Sequence, residues 1–310
     1  MTVDVSGPAW AWQWHTGVVT AVIVAVAVYA HGWRHIRHSA LVRERPAPPG
    51  ASIPNLLLYC GGLALLVLAL LSPIHTLATQ FFFMRVIQHL LLVALAPCLL
   101  LIANPIPILF RGLPLSWQKW LLARLESAAK LRENVCHLTA PGPVWILFSA
   151  CVWLWYDPAI HQATLDYAWL HRLETGVLFT AALLYWWHIT GAWPYLHKPL
   201  PPLVRIVYTA VGVWPVKVVG IIVLFTQTQV YNYPATFRLT GLLISDQSLG
   251  GIIGWILGGT VFSATAIVLM RRWLGSEDEK PALPESAWAT DEAMLAPGFR
   301  KQMNQGLSQD

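Results

Sequence analysis

Seven long apolar runs decide what this chain can fold into. They lie near His15–Trp33, Pro54–Pro73, Val86–Asn104, Pro143–Tyr156, Trp169–Gly191, Leu203–Gln227 and Ser248–Met270. About 20 apolar residues in helical form cross the roughly 30 Å hydrocarbon core of a bilayer. A backbone surrounded by lipid must satisfy its own donors and acceptors, and none of the runs alternates as a barrel strand does, so each reads as a helix. The fourth run is the weakest, and Leu138 marks an earlier start that places Pro141 and Pro143 in its first turn. The expected fold class is therefore all-α, a polytopic membrane protein with seven transmembrane helices. Composition agrees: 56% of the residues are hydrophobic and 11% are charged. A soluble domain carries about a quarter charged residues, so a cytosolic enzyme is excluded.

The few charges orient the chain. Outside the last 36 residues there are 17 bases and 8 acids, a balance of +9. Thirteen of those bases follow the odd-numbered runs: Arg34, Arg37, Arg43, Arg45, Arg111, Lys119, Arg124, Lys130, Arg132, Lys198, Arg205, Arg271 and Arg272. Arg85, Arg172 and Arg238 fall on the other side. The positive-inside rule then puts the N-terminus outside and the C-terminus in the cytoplasm. Two parts are expected: a membrane domain over 1–274, and a polar, acid-rich cytoplasmic tail over 275–310 with the composition of disorder. Within the domain, 116–132 reads as an amphipathic helix on the cytoplasmic leaflet. Met1–Trp14 lacks the basic start of a cleavable signal peptide, and no internal repeat is visible. Cys60, Cys98 and Cys151 sit inside runs and Cys136 outside them, without a CxxC pair, so they read as small apolar residues.

Ionisable groups within spans are costly and are functional candidates by default. The third run opens with Met84-Arg85-Val86-Ile87-Gln88-His89, where Arg85 and His89 share a helix face; the fifth opens with His171-Arg172-Leu173-Glu174, where His171 and Glu174 share one. If those faces meet, His89, His171 and Glu174 form a polar pocket near the outer surface, with His75 as a further donor. Imidazole and carboxylate suit Cu(II) or Zn, and Gln88 or Glu174 can orient a ligating ring. Against this stands a plain ion pair of Glu174 with Arg85 or Arg172, the histidines bonding to carbonyls. His161 reads as a loop residue. Lys217, in the middle of the sixth run and beside Pro215, reads as a structural pairing with an acid such as Glu174, or as part of a proton path. In the seventh run Asp246 is placed to cap its own helix, Gln247 follows it, and Gly250, Gly254 and Gly258 form a stripe for close helix packing.

Several of these residues also carry a resemblance. Gln88-His89-Leu90-Leu91-Leu92 continuing to Ala96-Pro97 and Asn104-Pro105 is similar to the CtaG family of bacterial cytochrome c oxidase assembly proteins. So are Trp153-Leu154-Trp155 with Pro158, His171-Arg172-Leu173-Glu174 leading to Trp186-Trp187, and Asp246-Gln247 with Leu249-Gly250-Gly251 and Trp255. The likeness runs from about Trp10 to Trp273. It implies a chaperone-like protein of the bacterial cytoplasmic (inner) membrane that helps mature a haem–copper oxidase, with oxidase subunits as partners and copper as the delivered metal. Three positions depart from the family's pattern, in which histidine is common: Arg85, Tyr156 and Thr175. Either His75, His161 or Met84 replaces those ligands, or the chain assists assembly without holding metal.

No nucleophile–base arrangement, phosphate loop, zinc-protease pattern or nucleic-acid-binding feature is present, so no catalysis is expected. The alternatives are a metal or small-ion transporter, with Lys217 and His89 on its pathway, and a structural accessory subunit of a respiratory complex.

Overall fold

A computed structural model describes residues 12–44, 48–127, 129–234, 238–239 and 244–278. The chain divides into two compact units, Met1–Leu269 and Met270–Asp310. Every apolar run is helical. The first is α1 (Thr16–Val42) and the second α2 (Ile53–Leu71). Ser52 starts α2, its hydroxyl accepting from Asn55 N, and Ser72 ends it, its hydroxyl accepting from Ile74 N at 3.2 Å to open the short helix α3 (Pro73–Leu77). The third run is α4 (Phe82–Leu90), a π-helical turn at Leu91–Leu95, and α5 (Ala96–Ile102). Pro97 has no N–H to give to Val93 O four residues back. Trp186 Nε1 takes that carbonyl instead, at 2.9 Å, so the break in the helix becomes a tie to a neighbouring span.

After α6 (Ile106–Gly112), α7 (Leu115–Ser127) and α8 (Ala129–Leu138) comes α9 (Pro141–Trp155), which starts at Pro141 as the proline spacing suggests. Asp157 then caps α10 (Pro158–Asp166), accepting from Ala159 N and Ile160 N at 3.0 and 3.2 Å. The fifth run is α11 (Ala168–Thr190), and the sixth divides into α12 (Pro202–Val211) and α13 (Val213–Phe225) around Gly212. The seventh is α14 (Asp246–Asp278), preceded by a two-residue antiparallel pairing of β1 (Arg238–Leu239) with β2 (Ile244–Ser245). Among the described residues, five of these helical segments are long and apolar enough to cross a membrane, or six if α9 and α10, bent by 69° at their junction, count as one broken span. α11 is long enough, but Glu174, His188 and its polar aromatic residues lower its mean hydropathy. Helix α14 runs to Asp278, past the boundary expected near 274; the rest of the tail expected over 275–310 lies outside the described residues.

The interior of Met1–Leu269 is built on α5, α9, α11 and α14, where Phe148, Trp155, Tyr185, Trp186 and Phe262 interdigitate. Close packing elsewhere uses glycine. Gly32 of α1 and Gly112 of α6 face each other's backbone, so a Cβ on Gly32 would meet Ile108 O and one on Gly112 would meet Val28 O. The stripe on α14 packs as expected: Gly250 against Phe82, Gly254 against Gly220, and Gly258 against Val216 and Leu90. Large apolar side chains such as Ile23, Val24, Leu57, Ile146, Val207, Ile222 and Ile256 point outward from the spans, where a bilayer takes the place of water.

Candidate functional site

The two faces singled out on α4 and α11 do meet. Arg85, Gln88 and His89 of α4 and His171 and Glu174 of α11 are all buried, and the Glu174 and Arg85 side chains are 0% exposed. Glu174 is the centre. Its Oε2 lies 2.8 Å from Arg85 Nη2 and 3.0 Å from His171 Nδ1. Its Oε1 lies 3.2 Å from His89 Nε2, but without the alignment of a hydrogen bond, so neither of those buried atoms has a hydrogen-bond partner among the described residues. Arg85 also donates through Nη1 to His171 Nε2 at 3.3 Å and through Nη2 to the Thr164 hydroxyl of α10. A guanidinium only donates, so His171 Nε2 accepts and Nδ1 carries the proton it gives to Glu174. His171 is thereby neutral and both of its ring nitrogens are used.

Around this pair the cluster extends in two directions. Toward α3, the His75 ring stacks on His171 with centroids 5.0 Å apart and meets His15 edge-on at 5.3 Å. Gln88 Nε2 donates to His75 Nδ1 at 3.1 Å and to Ala69 O at 2.8 Å. Burial first, then the nearby His171, His15 and Arg85, push the His75 ring down to about 4, so it is uncharged at neutral pH. Toward α9, His89 Nδ1 lies 3.3 Å from the Tyr156 hydroxyl, and Tyr231 OH donates to Tyr156 O at 2.7 Å.

Three residues are placed differently from what their sequence suggests. His161 is in α10 rather than in a loop and is fully buried; its Nδ1–H donates to Trp155 O at 2.9 Å and its Nε2 accepts from Tyr233 OH at 2.7 Å, a structural post. Asp246 does not cap its own helix. Its carboxylate accepts from Phe82 N at 2.7 Å and Phe83 N at 3.1 Å, and so caps α4 from across the fold, while the Ser245 hydroxyl serves α14 by accepting from Ser248 N. Lys217 is not brought to Glu174, whose partners are Arg85, His89 and His171. It lies in a separate groove lined by Trp214 and Ser263. Gln247 ties down the loop before it, Oε1 accepting from Val230 N at 2.8 Å and Nε2 donating to Thr228 O at 3.1 Å.

Sequence reasoning missed Thr164, Tyr231 and Tyr233, and took Tyr156 for a lost ligand when it is a partner of His89. Apart from their aromatic or hydroxyl character, nothing in their spacing marks them. Phe82, stacked on Tyr231 at 4.5 Å, joins the start of α4 to the segment between α13 and β1.

The chemistry of the donor set does not fit a copper ion as arranged. Protein metal sites need three or four converging lone pairs. Glu174 Oε2 and both nitrogens of His171 are engaged with each other and with Arg85, which leaves Glu174 Oε1 and His89 Nε2. A permanent cation already neutralises the carboxylate. Among the described residues no group of three or more His, Cys, Asp or Glu side chains is placed to hold a metal. The Cys98 and Cys151 thiols are buried in the apolar interior, away from this cluster's bonds.

An uncharacterised protein of Mycobacterium bovis and one of Mycobacterium tuberculosis are each 24% identical to this chain over 304 residues, covering 91% of it. The alignment covers 42% of each of those proteins, so the chain spans about two-fifths of the length of the relatives it matches. No solved structure matches. The family model described as cytochrome c oxidase caa3 assembly factor matches residues 27–276, a stretch holding Arg85, His89, His171 and Glu174, the Asp246 cap and the Trp186 tie, and the chain belongs to that family.

Proposed function

We propose that this protein assists the assembly of a haem–copper cytochrome c oxidase in a bacterial cytoplasmic membrane, as a seven-span protein with its N-terminus outside and its C-terminus in the cytoplasm. The observation that carries the reading is the family match over residues 27–276. Topology rests on the 13 bases that follow odd-numbered runs, among them Lys119 and Arg124 in α7, Lys130 and Arg132 in α8, and Arg271 and Arg272 after α14's apolar part. In that orientation the Arg85–Glu174–His89–His171 cluster lies toward the outer face.

The cluster's role is positioning. A buried ion pair with three histidine and hydroxyl partners fixes how α4, α10 and α11 meet, and α4 is fixed again by Asp246. Copper, the metal the resemblance implies, is not carried by these residues while Arg85 stays on Glu174, so the assistance given to the oxidase runs through contact with its subunits. No catalytic step is assigned to the chain. A transporter reading would place Lys217 and His89 on one path, and the two residues have different surroundings.

The test is deletion of the gene and complementation with the intact chain, reading haem a content, copper content and oxidase activity of isolated membranes. Loss of assembled oxidase that the chain restores supports the reading, and an unchanged oxidase in the deletion strain overturns it.

A further inference from the structure

Lys217 is a cation at membrane depth that has no counter-charge among the described residues. It stands 15 residues after Pro202 and 8 before Phe225 in a segment long and apolar enough to span. At 1.5 Å per residue that is about 12 Å from the nearer end. A lysine can escape such a position by running its stem along the helix to the headgroups. This one does not. Its side chain crosses to α14 and lies in the notch left by Gly259, where an added Cβ would meet Lys217 Cε and come within 2.9 Å of Nζ. Gly259 is itself 13 residues into α14, so the ammonium is held at depth, between two spans.

Among the described residues Lys217 makes no hydrogen bond or ion pair, and it lines a groove of about 400 Å³. The groove is lined by Ala210, Val213, Trp214, Ser263, Ala266 and Ile267. Apart from Trp214 these are small or aliphatic, a surface on which another helix can approach closely. Charged side chains inside membranes pair with one another or with backbone carbonyls, and lipid phosphates stay at the surface. A second copy of this chain has nothing to offer: of its acids, Glu174 is the one inside a span away from the helix ends, and it is fully buried on Arg85.

We propose that the Lys217 groove docks a transmembrane helix of a partner protein that carries an aspartate or glutamate at mid-membrane depth, the carboxylate pairing with the Lys217 ammonium. Resting on the assembly reading, the partner is an oxidase subunit. The occupant is recognised by charge at one point and by close helix packing along Ser263 and Ala266.

A photoreactive benzoylphenylalanine placed at Ser263 in the full-length chain tests this in cells that express the oxidase, with Lys217→Gln and Lys217→Arg in the same background. The expected result is an adduct that peptide mapping assigns to an oxidase transmembrane helix bearing a carboxylate. Its yield falls about tenfold or more in Lys217→Gln, as when one partner of a buried charge pair is removed, and is retained in Lys217→Arg. Equal yield in Lys217→Gln, adducts to lipid alone, or a mapped helix without an acid overturns the proposal. Solubility and melting of each variant in detergent exclude misfolding as the cause of a loss. The two readings fail separately: oxidase lost on deletion but unaltered cross-linking in Lys217→Gln defeats the docking site alone. A normal oxidase in the deletion strain defeats the assembly role, while a Lys217-dependent adduct to another protein's acidic span would leave the groove standing.

Discussion

Replacing Glu174 by glutamine removes the charge that makes Arg85 tolerable inside the protein. The two side chains are 0% exposed and their charged atoms are 2.8 Å apart. At an effective dielectric of about 20, unit charges at that distance attract by about 6 kcal/mol. Much of this offsets the cost of taking both groups out of water, so the pair itself contributes little net stability. Its rupture is another matter. An unpaired buried cation costs about 3–5 kcal/mol, and here the hydrogen bond from His171 Nδ1 to Glu174 weakens as well. For a domain of this size that corresponds to roughly 6–20 °C in melting temperature. The assay is thermal unfolding of the detergent-solubilised protein followed by loss of the monodisperse peak. Arg85→Met should be destabilising too, and the double variant Arg85→Met with Glu174→Gln should recover part of the loss, because neither charge is then stranded. A Glu174→Gln shift below about 2 °C, or a double variant whose loss equals the sum of the singles, would refute the view that the cluster is held by this pair.

Other outcomes follow from the same geometry. Metal analysis of the purified protein after incubation with copper or zinc should find no stoichiometric ion, whereas Arg85→Ala, which frees Glu174 Oε2 and His171 Nε2, should bind about one equivalent that is lost again in His89→Ala; one equivalent in the unaltered protein would contradict this. His75 has a folded pKa of about 4, below its ordinary value of 6.5, so the stability it contributes is present above pH 6.5 and is lost as pH falls toward 4. Melting temperature should drop across that window, and less steeply in His75→Gln. Asp246→Ala removes the acceptor of Phe82 N and Phe83 N and should cost about 1–2 kcal/mol, with Asp246→Asn recovering part of it, read by the same melting assay. Gly112→Ala forces a methyl onto Val28 O, a backbone atom that cannot move alone, and should sharply reduce the yield of folded protein, whereas Gly176→Ala, open on all sides, should not.

Much of the fold was readable because lipid-spanning helices announce themselves by length and apolarity, signals that need no tertiary context. Even the weak fourth run was recoverable, since Pro141 is tolerated only in a helix's first turn and α9 starts there. The division of the sixth run at Gly212 was not, because it depends on the Tyr185 hydroxyl, which sits where a Cβ of residue 212 would be. The candidate site was half readable. Helical spacing put Arg85 with His89 and His171 with Glu174, but spacing is symmetric between an ion pair and a metal site. What decides between them is which atoms face one another, and that was set by Thr164, Tyr156 and the α10 turn, from parts of the chain with no shared pattern. Asp246 shows the same limit: an acid at a helix start looks like that helix's cap, and only the arrangement of α14 beside Phe82 turns it toward another.

The proposed role in oxidase biogenesis is tested most directly by the amount of assembled cytochrome c oxidase in membranes of a deletion strain, quantified by haem a absorbance and oxygen consumption with cytochrome c as donor. The account expects both to fall together and to return on expression of the unaltered chain. Full oxidase content and activity without the chain would contradict it.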